Sequence, residues 1–253
     1  MAKFIREFTN FTADVNELVR VTKEIIGMYG AERKTYCVFS MDTESCGNNP
    51  RSVGIVVFLI AEQWEGDNLL CSTAQTIGGM NVNVLSPGAT MQSECEAVDR
   101  AALGGARTLD EFWINHRTGY ENINATSIPA GKAIEYLNEF RAAFASFTKV
   151  VLSARPLAYD YMVLQRLYDN NGAVNPFPPF GSSAFCMGTA LAMRYNPGAT
   201  NSINFNQFVS KLPKRPEGEL THDAMQDADD QFRAYWIALQ EKYGKNAYLD
   251  MQN

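Results

Sequence analysis

The segment Ser52–Ala61 constrains the fold most. Val53, Ile55, Val56, Val57 and Ile60 make it apolar and β-branched on both alternating faces. Such a strand cannot lie on a surface; it needs neighbours in a sheet and cover above and below. Thr35–Met41 before it and Leu69–Ile77 after it read as two further strands, with turn signals at Asn48-Asn-Pro and Glu65-Gly-Asp-Asn68. The three form an antiparallel meander.

Around this meander the pattern is helical. Val15, Leu18, Val19, Val21, Ile25, Ile26 and Met28 recur at helical spacing over Thr12–Tyr29, and Gly30 supplies a stop. Thr108-Leu-Asp-Glu111 reads as a capping box. Ala130–Phe147 is amphipathic, Thr148–Ser153 is a fourth strand, and Ala158–Tyr168 is a helix directly after it. Asn170–Ser183 reads as a loop, Phe185–Arg194 as a strand end or short helix, Asn201–Glu219 as irregular, and His222–Tyr243 as a long final helix. The expected class is α/β: a central mixed five-stranded sheet, its first three strands an antiparallel meander, flanked by helices. Residues 1–34 form a helical extension, and residues 35–253 a single globular unit.

Five cysteines, Cys37, Cys46, Cys71, Cys95 and Cys186, are scattered with no C-x-x-C pair. That argues against a disulfide framework or zinc site and for a reducing, cytoplasmic setting. No run approaches the roughly 20 apolar residues of a membrane span, so no membrane association is expected. The net charge of −6 disfavours a broad duplex-binding face but suits a cleft of carboxylates neutralised by cations.

Four acids and a histidine stand near the ends of these elements. Asp42 and Glu44 follow the first strand of the meander in Met41-Asp-Thr-Glu-Ser45. At positions i and i+2 of extended chain both carboxylates point to one side, where their repulsion calls for an oxygen-loving cation such as Mg²⁺ or Mn²⁺. Asp160 lies near the start of the helix after the fourth strand. His222 and Asp227 lie at the start of the last helix, with Asp223, Asp229 and Asp230 as alternative acids nearby. His116, on a helix with no acid cluster, reads as structural or surface, and Trp113 as a core or cleft-wall aromatic.

In order, these motifs resemble the DEDD exonucleases of the RNase H-like superfamily, in the branch whose general base is histidine. Asp42-Thr-Glu-Ser-Cys-Gly47 is similar to that family's D-x-E-T-x-G. Arg155-Pro-Leu-Ala-Tyr-Asp160 followed by Leu164 is similar to its aromatic-Asp-x-x-x-Leu, and His222-Asp-Ala-Met-Gln-Asp-Ala228 to its H-D-A-x-x-D-A. Thr108 to Trp113 resembles a stretch of the T-even phage exonuclease A and mycobacterial RNase AS group. Tyr159 stands where phenylalanine is commoner.

The resemblance implies an RNase H-like fold and a 3′–5′ exonuclease acting on the 3′ end of single-stranded RNA or DNA. It also implies two Mg²⁺ or Mn²⁺ ions held by Asp42, Glu44, Asp160 and Asp227, His222 as general base, and nucleoside 5′-monophosphate products. A homodimer is compatible with it, as is a phage protein working in the host cytoplasm. It places Ser45 and Cys46 near the terminal ribose. The basic run Lys211, Lys214 and Arg215 is the expected phosphate contact. The alternative from another class is a non-catalytic nucleic-acid-binding or regulatory protein on the same fold.

Overall fold

The computed structural model describes residues 2–47, 49–101, 113–177, 183–195, 204–214 and 222–252. The capping box at Thr108–Glu111 and residue Arg215 lie outside them. Among the described residues the chain is α/β, with a six-stranded mixed sheet.

The meander is β2 (Arg33–Cys46), β3 (Asn49–Glu65) and β4 (Asn68–Asn83), antiparallel throughout. β5 (Val150–Ala154) runs parallel to β2, and β6 (Ala184–Cys186) parallel to β5. The sixth strand, absent from the five-stranded expectation, is β1 (Lys3–Ile5), which pairs parallel with β4 through Gly78, Gly79 and Met80. Three residues are too short to show a period of two, so no sequence pattern marks this strand. The meander strands also outrun their apolar cores. Polar ends such as Gln63 and Glu65 stay in register through backbone pairing with Cys71 and Asn68, respectively.

β3 is buried on both faces, as its composition demands. Val53, Ile55, Val57 and Leu59 face a core shared with α1 (Phe11–Tyr29), α4 (Ala130–Ala145) and α5 (Leu157–Asp169). Val56, Phe58 and Ile60 face the opposite core, formed with α6 (Met187–Tyr195), α7 (Asn206–Val209) and α8 (Ala224–Tyr243). The result is a sheet covered by helices on both sides. The N-terminal segment belongs to the same body: Phe11, Val15 and Leu18 of α1 are buried in the first core.

A third, smaller cluster sits beyond the end of β2. It contains Cys46, Leu85, Cys95 and Met91 of α2 (Met91–Ala101), Trp113 of a short 3-10 helix (Trp113–His116), and Ile123 of α3 (Arg117–Thr126). Cys46 and Cys95 are joined by a disulfide, against the expectation of unpaired thiols. The two are 49 residues apart, and nothing in that spacing announces the pairing. No described helix is long and apolar enough to cross a membrane.

One glycine sets the spacing between sheet and helix. A Cβ on Gly54 would stand 2.1 Å from Met225 N and 2.2 Å from Ala224 C. Gly54 is the partner of Asp42 in the β2–β3 register. The first turn of α8 therefore rests on the strand next to Asp42, at a distance that no side chain at position 54 would permit.

Candidate active site

β2 and β5 run parallel, and the site forms beyond the carboxyl end of β5. Their last paired residues are Ser40 and Ser153. Asp42 and Glu44 follow Ser40 on a stretch of β2 whose strand partner is β3, through Gly54 and Ser52. The apolar pattern of the sequence ends the strand before both acids. They lie inside it, and the register shifts only between Glu44 and Ser45. Strand geometry turns both toward α8, whose Gln231 Nε2 donates to Asp42 Oδ1 at 2.7 Å.

Asp160 reaches the same place from the first turn of α5. The helix is capped by Pro156, so Asp160 is not a capping side chain. Its Oδ1 accepts from Thr43 N at 3.1 Å and from Thr43 Oγ1 at 2.9 Å. Its Oδ2 is buried with no hydrogen-bond partner among the described residues.

α8 begins at Ala224, so His222 stands outside the helix rather than on its first turn as expected. Asp223 is the N-cap and accepts from Gln226 N at 3.0 Å. It also pairs with Arg6, delivered by the end of β1. With the cap fixed, His222 adopts a left-handed backbone, φ 54°, rare for a residue with a Cβ. Its Nδ1 lies 3.3 Å from Glu44 Oε1. Asp227, in the first turn of α8, completes a group in which Glu44, His222 and Asp227 each offer a ligating atom within 4.8 Å of the others.

The structure also separates the neighbouring acids. Asp223 is the cap, Asp229 pairs with Arg233 at 2.8 Å, and Asp230 lines the cleft beside Asp227.

The cleft has a volume of about 540 Å³ and is lined by Asp42, Glu44, Asp160, His222 and Asp227 together. Burial, the largest cause, pushes the carboxyls of Asp42 and Glu44 well above their usual range. For Asp42 the charges of Asp160, Glu44 and Asp227 add to it, and the Gln231 hydrogen bond offsets part. Asp160 is raised to about 7 by burial, against the lowering effect of the two Thr43 hydrogen bonds. Carboxylates crowded in this way are stable as anions only beside a cation.

Of the other expected contacts, Ser45 is at the rim. Its Oγ lies 2.6 Å from Tyr159 OH, and Tyr159 lines the cleft. Cys46 is fully buried in its disulfide and offers no thiol. Lys211 is not in the lining: its ammonium pairs with Glu241 and lies 5.2 Å from the centre of the Phe208 ring. Lys214 is exposed and also outside the lining.

Two residues near the site escape the sequence reading. The ring of His116 meets that of His222 edge-on, centroids 3.9 Å apart. The 3-10 helix carrying it is anchored by Trp113 in the cluster containing the disulfide. Burial, then the nearby His222, lowers the His116 pKa. Arg155 lines the cleft together with Asn206. The presence of only two histidines in the chain is the one signal for His116; Arg155 opens the motif that ends at Asp160, but nothing in the sequence gives it a role. No family model matches the chain, and no curated protein matches it.

Proposed function

We propose that the protein is a metal-dependent 3′–5′ exonuclease with an RNase H-like fold. In this reading it hydrolyses single-stranded RNA or DNA from the 3′ end to nucleoside 5′-monophosphates. The observation that carries it is the meeting of Asp42, Glu44, Asp160, His222 and Asp227 in one cleft, drawn from a strand and two helix starts far apart in sequence.

The residues suit divalent cations. The donors are carboxylate oxygens, the type that Mg²⁺ and Mn²⁺ prefer. Three of the carboxyls are raised by burial, and Asp160 Oδ2 is buried without a partner among the described residues. Asp42, Glu44, Asp160 and Asp227 would hold two such ions. When bound, the ions supply Lewis-acid stabilisation of the phosphate and ready a water for attack.

The protein's own groups do the rest. Glu44 Oε1 beside His222 Nδ1 favours the tautomer with the proton on Nδ1, leaving Nε2 to accept the proton of the attacking water. The left-handed backbone at His222 and the capped start of α8 fix that imidazole at the cleft. Ser45 and Tyr159 provide a hydroxyl pair at the rim for the terminal ribose.

The test uses RNA and DNA oligonucleotides labelled at the 3′ or the 5′ end, with Mg²⁺, Mn²⁺ or EDTA. Labelled mononucleotide should leave 3′-labelled strands first, and 5′-labelled strands should shorten stepwise. Both should stop in EDTA and in Asp42→Ala. Degradation that continues in EDTA would reject the mechanism.

A further inference from the structure

Five acids, Asp42, Glu44, Asp160, Asp227 and Asp230, line the cleft, and Arg155 is the one Lys or Arg side chain among the described lining residues. A guanidinium beside so many carboxylates would be expected to collapse onto one of them. Arg155 does not: it forms no ion pair with any described carboxylate. Its Cζ lies 4.2 Å from the centre of the Phe205 ring, and its Nη2 donates to Asn206 Oδ1 at 3.2 Å. Stacking and an amide oxygen thus hold the group in place without neutralising it.

We propose that Arg155 is the phosphate-binding residue of the cleft, gripping the phosphodiester of the terminal nucleotide through its guanidinium. This rests on the exonuclease reading. A preorganised cation that pairs with no described carboxylate is available to an anion that enters the cleft. The planar fork of N–H donors matches two phosphate oxygens, which a lysine ammonium cannot do. Phe205 and Asn206 fix the fork before the substrate arrives, so little side-chain entropy is lost on binding.

The contrast with the basic run is direct. Lys211 is already paired with Glu241, and neither it nor Lys214 lines the cleft. A grip on phosphate reads the backbone and not the base. The recognition that follows is of the terminal phosphodiester, independent of base sequence.

The experiment compares adenosine 5′-monophosphate and adenosine as competitors of oligonucleotide hydrolysis, and as ligands in calorimetry, with Mg²⁺ present. The proteins are wild type, Arg155→Ala, Arg155→Lys and Asn206→Ala. Loss of a charge-assisted contact to phosphate should weaken the monophosphate about 10- to 100-fold in Arg155→Ala. Adenosine should bind all four proteins equally weakly. Arg155→Lys should fall between, because it keeps the charge and loses the fork, and Asn206→Ala should show a smaller loss. Should Arg155→Ala not fold, the lysine and Asn206 variants carry the comparison.

Unchanged monophosphate affinity in the arginine variants would overturn the proposal, as would equal losses for monophosphate and adenosine. A wild type that binds the monophosphate through Arg155 but hydrolyses no oligonucleotide would leave this contact standing and reject the exonuclease reading instead.

Discussion

Replacing Asp160 with asparagine should make the metal-free protein more stable while removing the proposed nuclease activity. Asp160 is 2% exposed, and its pKa is raised from 3.8 to about 7. A raised acid stabilises the fold fully below its unfolded pKa and loses that contribution as pH rises through the folded value. At pH 8 the ionised group therefore costs the folded state on the order of 4 kcal/mol, from about three units at 1.36 kcal/mol each. At pH 5 the same linkage leaves a cost of about 1.6 kcal/mol.

Asp160→Asn removes the charge, and the new amide oxygen can still accept both Thr43 hydrogen bonds. The amide nitrogen falls where Oδ2 has no partner among the described residues, and burying that donor unsatisfied costs about 1–3 kcal/mol. The net gain at pH 8 is thus about 1–3 kcal/mol, a rise in melting temperature of roughly 2–12 °C for a chain of this size. The assay is thermal unfolding followed by circular dichroism in EDTA at pH 8 and pH 5, for both proteins. The gain should shrink or reverse at pH 5. A variant no more stable at pH 8 than at pH 5, relative to wild type, would refute the charge-burial reasoning.

Three further outcomes follow from the surroundings of the site. His116→Ala should lower kcat several-fold with little change in KM, and His116→Phe, which keeps a ring against His222, should recover most of the loss; steady-state kinetics checks both. Gly54→Ala should force the first turn of α8 off the strand, costing about 1–3 kcal/mol by overpacking and lowering activity more than a surface substitution does, as read by urea unfolding and turnover. Reducing the Cys46–Cys95 disulfide opens a loop of 49 residues, worth up to about 4 kcal/mol by chain entropy. A thermal melt with and without reductant should show the drop, and Cys95→Ser should match the reduced protein.

How far the sequence foretells this arrangement depends on whether local pattern or long-range contact decides each part. The unbroken apolar run of Ser52–Ala61 demands a doubly covered central strand, and its neighbours follow from turn signals. The same-side placement of Asp42 and Glu44 follows from strand periodicity alone. Three parts are set by partners distant in sequence. β1 exists because Lys3–Ile5 pairs with Gly78–Met80, and three residues carry no period. His222 leaves the helix because Asp223 takes the cap and Arg6, 217 residues away, holds it there. The disulfide, and with it the position of His116, depends on α2 and the 3-10 helix packing over the end of β2. Asp160 illustrates the middle case: its place after a strand is legible, but its bond to Thr43 is not.

The central claim is that four carboxylates and one imidazole form a single centre for divalent cations. Titrating the metal-free protein with Mn²⁺ and counting bound ions by electron paramagnetic resonance tests it most directly. Two ions should bind to wild type, and Asp42→Asn should lose at least one while remaining folded. Wild type that binds no Mn²⁺, or Asp42→Asn that binds as many ions as wild type, would contradict it.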